Sequence, residues 1–153
     1  MTVKELWGEL IEVYPTIKKL IYHSRYNEFD DLSGVEFDKM DPEERYLRNE
    51  IRDILDHLDR AADNLEYINK SIKYQGKLHK NENGRYECDG YELSCGCGIE
   101  VLTPCMIWDS DKQDEVEGFE WVSSRVEYDQ QKQDYYIVGQ NIELEGLAAR
   151  VRR

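Results

Sequence analysis

The chain has 153 residues, enough for one ordinary domain or two small ones. Its 33 Asp plus Glu against 20 Lys plus Arg give a formal net charge of -13 at pH 7. That charge repels nucleic-acid phosphates and anionic membranes and leaves basic proteins as the fitting partners. Apolar residues at 40% and aromatics at 11% exclude a disordered chain, even at a mean hydropathy of -0.78.

The opening Thr2-Val3-Lys4-Glu5 reads as a capping box, with the Thr2 hydroxyl accepting from a free backbone N–H and Glu5 reaching back to the cap. Val3, Leu6, Leu10, Ile11 and Tyr14 then recur at helical spacing. Pro15 has no N–H to donate, so a kink or restart is expected there, with Ile17, Leu20 and Ile21 carrying the pattern on to Tyr26. Residues 27–40, with Asp30-Asp31 and Ser33-Gly34, read as a loop. Asp41 supplies a second cap, Pro42 fits the first helical position, and Glu43 and Glu44 oppose the positive end of the helix dipole. Leu47, Ile51, Ile54, Leu55, Leu58, Ala62, Leu65, Ile68 and Ile72 form one apolar stripe, with Gly76 as its stop. Neither helix can bury its stripe alone, so residues 1–76 are expected to form a helical hairpin.

From residue 77 the period changes. Lys77–Lys80 and Arg85–Cys88 flank Asn83-Gly84, two residues that tolerate positive φ and suit a tight turn. Further strands are expected at Tyr91–Ser94, Ile99–Thr103, Glu120–Tyr128, Asp134–Val138 and Leu147–Val151, with Asp109–Glu117 as an acidic loop and no internal repeat. Residues 77–153 therefore read as a small, strongly bent antiparallel barrel, and the chain as α+β.

Two constellations stand out. Asp53, Asp56, Asp59, Asp63 and Glu66 step by three or four residues along one face of the second helix. Such a row imitates a line of phosphates or docks in a Lys/Arg groove; it also reads as a solvated face tempered by Arg52, Arg60 and Lys70. The acidic loop, with Asp109, Asp111, Asp114 and Glu115 beside Trp108, offers a second docking surface in which the indole is the anchor. The other constellation is Cys88, Cys95, Cys97 and Cys105, every Cys in the chain. Four thiolates suffice for a structural zinc, with His79 in reserve, although the spacing lacks paired two-residue knuckles; packed thiols on short strands are the other reading.

The tests for catalysis fail: there is no phosphate loop, no His-Glu-x-x-His and no Ser-centred elbow, so no enzyme is expected. No apolar stretch is long enough to cross a bilayer and no signal peptide opens the chain, so a cytoplasmic protein with reduced thiols and no membrane partner is expected. Direct DNA or RNA binding is not expected, because the basic residues Arg150, Arg152 and Arg153 are too few.

The stretches Tyr91-Glu-Leu-Ser-Cys95-Gly96, Ile99-Glu-Val-Leu102, Trp121, Ser124-Arg-Val-Glu-Tyr128, Tyr135-Tyr-Ile-Val-Gly139, Leu144-Glu-Gly-Leu147 and Ala149-Arg-Val-Arg152 resemble a small uncharacterised β-domain family of Gram-positive bacteria and their mobile elements. The resemblance implies an SH3-like barrel in a bacterial host cell. Cys95 matches a Cys of that family's motif, whereas Cys97 and Cys105 depart from it, which makes zinc a local feature here. In size, charge and the company of such a domain, the chain is similar to anti-CRISPR inhibitors of type II RNA-guided nucleases. Those nucleases hold their guide–target duplex in a positively charged channel and read an adjacent motif with Arg side chains, a fitting target for an acidic protein. The alternative is an accessory protein-interaction module of a plasmid, phage or conjugative element.

Overall fold

A computed structural model describes residues 1–27, 29 and 31–153. Helix α1 spans Val3–Ser24, and its capping box is formed as expected: the Thr2 hydroxyl accepts from the Glu5 N–H at 3.2 Å, and the Glu5 carboxylate accepts from the Thr2 N–H at 2.6 Å. The helix runs on through the exposed Pro15, so the expected restart does not occur. Arg25, left-handed at φ 52, ends it. Tyr26, expected at the end of the helix, instead forms β1 with Asn27 (Tyr26–Asn27), which pairs antiparallel with Asp31–Leu32 (β2) inside the expected loop. Asp30 of that loop lies outside the described residues.

Helix α2 spans Pro42–Asn69, and the Asp41 carboxylate accepts from the Glu43 N–H at 2.9 Å. The Tyr14 hydroxyl donates to Glu66, and the hydroxyl of Tyr26, further along the chain, donates to the earlier Asp56, so the two helices run antiparallel. Ile17, Ala62 and Leu65 form the buried seam, with Trp7, Ile11, Tyr14, Ile21 and Leu58 packed around it. Leu55 is also buried and Ile51 half-buried, but several other apolar positions are not covered. Leu6, Leu10, Val13 and Leu20 on α1, and Leu47, Ile54 and Ile68 on α2, are all 43–57% exposed. The stripe expected on α2 is thus buried along one edge, at Leu55, Ala62 and Leu65, and half-exposed along the other.

The chain divides after Asn69, not at Gly76, into units of residues 1–69 and 70–153. Ile72 lies four residues past Ile68 and fits a helical period, but Ile72, Tyr74, Gly76 and Leu78 also alternate, and the period of two prevails in strand β3, Ile72–Lys80. There follow β4 (Tyr86–Cys88), β5 (Tyr91–Glu92), β6 (Gly98–Asp109), β7 (Asp114–Asp129), β8 (Asp134–Ile137) and β9 (Ala148–Arg152). The turn after β3 is a four-residue one: the Gly84 N–H donates to the Asn81 carbonyl at 3.0 Å, and of the expected Asn83-Gly84 pair only Gly84 has positive φ.

The seven strands make one antiparallel sheet in the order β5-β4-β3-β9-β6-β7-β8. Its core is Leu78, Tyr86, Cys88, Leu93, Ile99, Val101, Val126, Ile137, Leu144, Ala149 and Val151. Four strand spacings would put β3 and β8 about 19 Å apart in a flat sheet. Lys80 of β3 nevertheless meets Asp134 of β8 at 2.9 Å, so the sheet is curled around that core. The α+β architecture is as expected; the closed barrel is not found, because the two outermost strands, β5 and β8, do not pair and the sheet stays open.

Candidate functional site

Strands β6 and β7 pair continuously from Gly98↔Arg125 to Asp109↔Asp114, but β9 joins β6 only at Glu100 and Val101, and β8 joins β7 only from Val126 onward. Residues 102–109 and 114–121 are therefore a free two-stranded arm, about 26 Å long at 3.3 Å per residue. Both of its long rims carry backbone groups outside any ladder. Asp109 and Asp114–Glu117, expected in a loop, belong to its strands, and only residues 110–113 form the turn.

The turn is set by its acids. Asp109 accepts from the N–H groups of Asp111 and Lys112 at 2.9 and 3.2 Å, and Gln113 takes φ 52 before the chain returns. The β7–β8 turn repeats this: Asp129 accepts from Gln131 and Lys132 at 2.8 and 3.2 Å, and Gln133 has φ 51. Asp109-Ser-Asp-Lys-Gln-Asp114 and Asp129-Gln-Gln-Lys-Gln-Asp134 are one motif used twice, a short repeat that the sequence carries in plain view.

On one face of the arm the register lines up Leu102 with Trp121, Pro104 with Phe119, Met106 with Glu117 and Trp108 with Glu115. Met106, Trp108 and Phe119 are 57, 64 and 69% exposed. A cleft of about 640 Å³ opens between Pro104, Cys105, Met106, Glu117, Gly118 and Phe119. On the other face Ile107 lies against Gly118, where any Cβ would collide with its Cδ1. Residues 102–121 hold six carboxylates, Asp109, Asp111, Asp114, Glu115, Glu117 and Glu120, against the single cation Lys112. The arm thus carries an exposed apolar ladder rimmed mainly by carboxylates.

At the root of the arm Glu100 is 5% exposed and accepts from Arg150 and, at 2.7 Å, from Arg152. The Arg150 guanidinium stacks over Trp121 with its carbon 4.2 Å from the ring centroid. Nothing in the composition marked Glu100; its one signal is a carboxylate inside the run Ile99-Glu-Val-Leu102.

The acidic row of α2 is partly engaged in holding the fold. Asp56 accepts from the Tyr26 hydroxyl at 2.9 Å and pairs with Arg60 at 2.9 Å, and Glu66 accepts from Tyr14 at 3.1 Å. Burial, reinforced by Asp56, pushes the Tyr26 phenol above its ordinary value. Asp53 pairs with its neighbour Arg52 at 2.8 Å, while Asp59 is half-buried and Asp63 is exposed.

The four cysteines do not gather. Cys88 is fully buried in the core, its Sγ donating to the Ala149 carbonyl at 3.5 Å, and burial pushes its thiol upward, away from the thiolate a metal needs. Cys95 and Cys97 share one turn, Cys95 exposed and Cys97 half-buried. Cys105 lies out along extended β6, about 23 Å from Gly98. Sulfur atoms on one tetrahedral zinc lie about 4 Å apart. The four thiolates do not fit one ion unless β6 leaves the sheet. The reserve ligand His79 is hydrogen-bonded to Glu145 at 2.8 Å. Among the described residues no group of three His, Cys, Asp or Glu is placed to hold a metal, and no helix is long and apolar enough to cross a membrane.

No curated protein and no solved structure matches the chain. One family does match, over residues 76–151, from the middle of β3 to β9. Most of the sheet unit, arm included, thus matches a domain of unknown function, DUF5348.

Proposed function

We propose that the chain is a non-catalytic acidic inhibitor that docks its β6–β7 arm on a basic protein surface. The observation that carries this reading is the arm itself: Trp108, Met106 and Phe119 exposed on one ladder, with carboxylates at the tip and along the rim. The indole and ring fill an apolar recess of the partner, and Asp111, Glu115 and Glu117 meet the surrounding Lys and Arg. The reading takes the partner to be a type II RNA-guided nuclease, whose duplex channel is positively charged, and the effect to be loss of target loading in the bacterial cytoplasm. The likeness of the curled sheet to SH3-like barrels belongs to the same reading, supported by the approach of Lys80 to Asp134.

Titration into a guide-loaded type II nuclease tests it. Cleavage should fall to baseline at stoichiometric inhibitor, and Trp108→Ala should weaken the complex at least tenfold. A nuclease unaffected by excess chain removes this target. Inhibition that is catalytic, continuing at substoichiometric amounts, removes the binding mechanism altogether.

A further inference from the structure

The helical unit has one apolar face that its own seam does not use. On α1 the row Leu6, Leu10, Val13 and Leu20 is centred about 80° round from the centre of the residues that pack on α2, with Ile17 on the border between them. On α2 the row Leu47, Ile54 and Ile68 is centred about 70° round from the centre of Leu55, Ala62 and Leu65, with Leu47 and Leu65 on the shared border. Because the helices run antiparallel, these rotations carry both rows to the same side of the two-helix layer. The carboxylates Asp53, Asp56, Asp59, Asp63 and Glu66 lie the other way round α2. The unit is therefore a layer with an apolar side and an acidic side.

The geometry points to a second copy of this chain as the occupant of the apolar side, giving a four-helix bundle with twofold symmetry. Leu47, Ile54 and Ile68 follow the seven-residue spacing of a helix–helix seam, with Ala61 completing the repeat as a small residue where helices approach closely. Seven half-exposed aliphatic side chains at roughly 80 Å² each amount to roughly 1,100 Å² for a symmetric pair before any polar rim, which reaches the size of a specific interface. A twofold pairing lays apolar on apolar and keeps both acidic sides outward, so the net charge does not oppose it. A basic partner finds its complement on the opposite side or on the arm, not here. The inference does not depend on what the arm binds.

Light scattering on the full chain at micromolar concentration should return twice the 18.2 kDa chain mass. Leu10→Glu and Ile54→Glu, each alone, should restore the single-chain mass with the far-UV helix signal unchanged, and Trp108→Ala should leave the pair intact. In the unmodified chain the melting midpoint of the helices should rise with concentration, a readout that needs no variant. A single-chain mass and a concentration-independent midpoint up to about 100 μM would overturn the inference. So would a pair that survives both Glu variants and separates on Trp108→Ala.

Discussion

Ile107 rests its Cδ1 in the space that Gly118 leaves on the neighbouring strand. The contact sits in the free part of the arm, where Ile107 is 46% exposed and can rotate away. Gly118→Val should therefore displace Ile107 and reshape the adjoining cleft at a cost of about 1 kcal/mol or less. Trp108 fluorescence should change while the melting midpoint of the sheet unit barely moves. A loss of several kcal/mol would mean that the arm is part of the cooperative core.

Charge reversal separates the two acidic surfaces. Asp111→Lys with Glu115→Lys should weaken association with a basic target and flatten its salt dependence, because neither side chain holds the turn through its carboxylate. Asp63→Lys should leave both stability and binding near their original values. Asp56→Ala should instead cost about 1 kcal/mol through the lost Tyr26 bond, read as a lower urea midpoint of the helical unit. Binding that fails with Asp63→Lys and survives the arm reversal would move the docking surface to α2.

The Glu100 cluster predicts an asymmetry. Glu100→Ala leaves two guanidiniums, 19 and 14% exposed, side by side without their shared carboxylate, and should cost about 3 kcal/mol. Arg150→Ala should cost less, since Arg152 still pairs with Glu100. Denaturant melts of the two variants compare them directly, and equal losses would show that the guanidiniums do not share the load.

Thiol reactivity tests the cysteine geometry. A thiol reagent on the native chain should label Cys95 first, Cys97 and Cys105 more slowly, and Cys88 only on unfolding. Elemental analysis should find well under one zinc per chain. One zinc per chain, lost together with stability in any single Cys→Ser variant, would show that β6 departs from the sheet to build the site.

Three carboxylates of the sheet unit sit below their ordinary values: Glu92 through Arg85 and then Asn81, Asp134 through Lys80, and Glu145 through His79 and then the Lys80 N–H. With the folded value depressed, the unfolded state binds more protons at acid pH. Their contribution is present above about pH 4, the unfolded carboxylate range, and is lost as pH falls through the folded values. The urea midpoint of the sheet unit should drop across that window, and Glu92→Gln with Glu145→Gln should shrink the drop. An unchanged slope would remove these pairs as its cause.

Much of this was legible in the residues. Thr2 with Glu5, and Asp41 before Pro42, located both helix starts through local hydrogen bonds that need no tertiary context. Each strand expected after residue 77 contains or overlaps a strand of the sheet. The arm was not legible as strand, because carboxylates at Asp109 and Asp114–Glu117 mimic loop composition, although Val116 and Gly118 keep the alternation. The helix end was hidden by Ile72, which satisfies both periods. The sheet's failure to close depends on which strands pair at long range, and no local pattern encodes that. Cys88, Cys95, Cys97 and Cys105 lie within 18 residues, yet an extended β6 carries the last of them away from the rest, a separation that spacing alone does not encode.

The unpaired rims of the arm have a consequence for how the protein is handled. Exposed amides and carbonyls on a long strand invite a strand from another molecule, and the apolar ladder would glue successive copies together. Above neutrality Glu115, Glu117 and Glu120 make every such approach a meeting of like charges. Near the sequence pI of about 4.7 the chain as a whole carries no net charge, and fibrous association should begin at the arm while the helices are still folded.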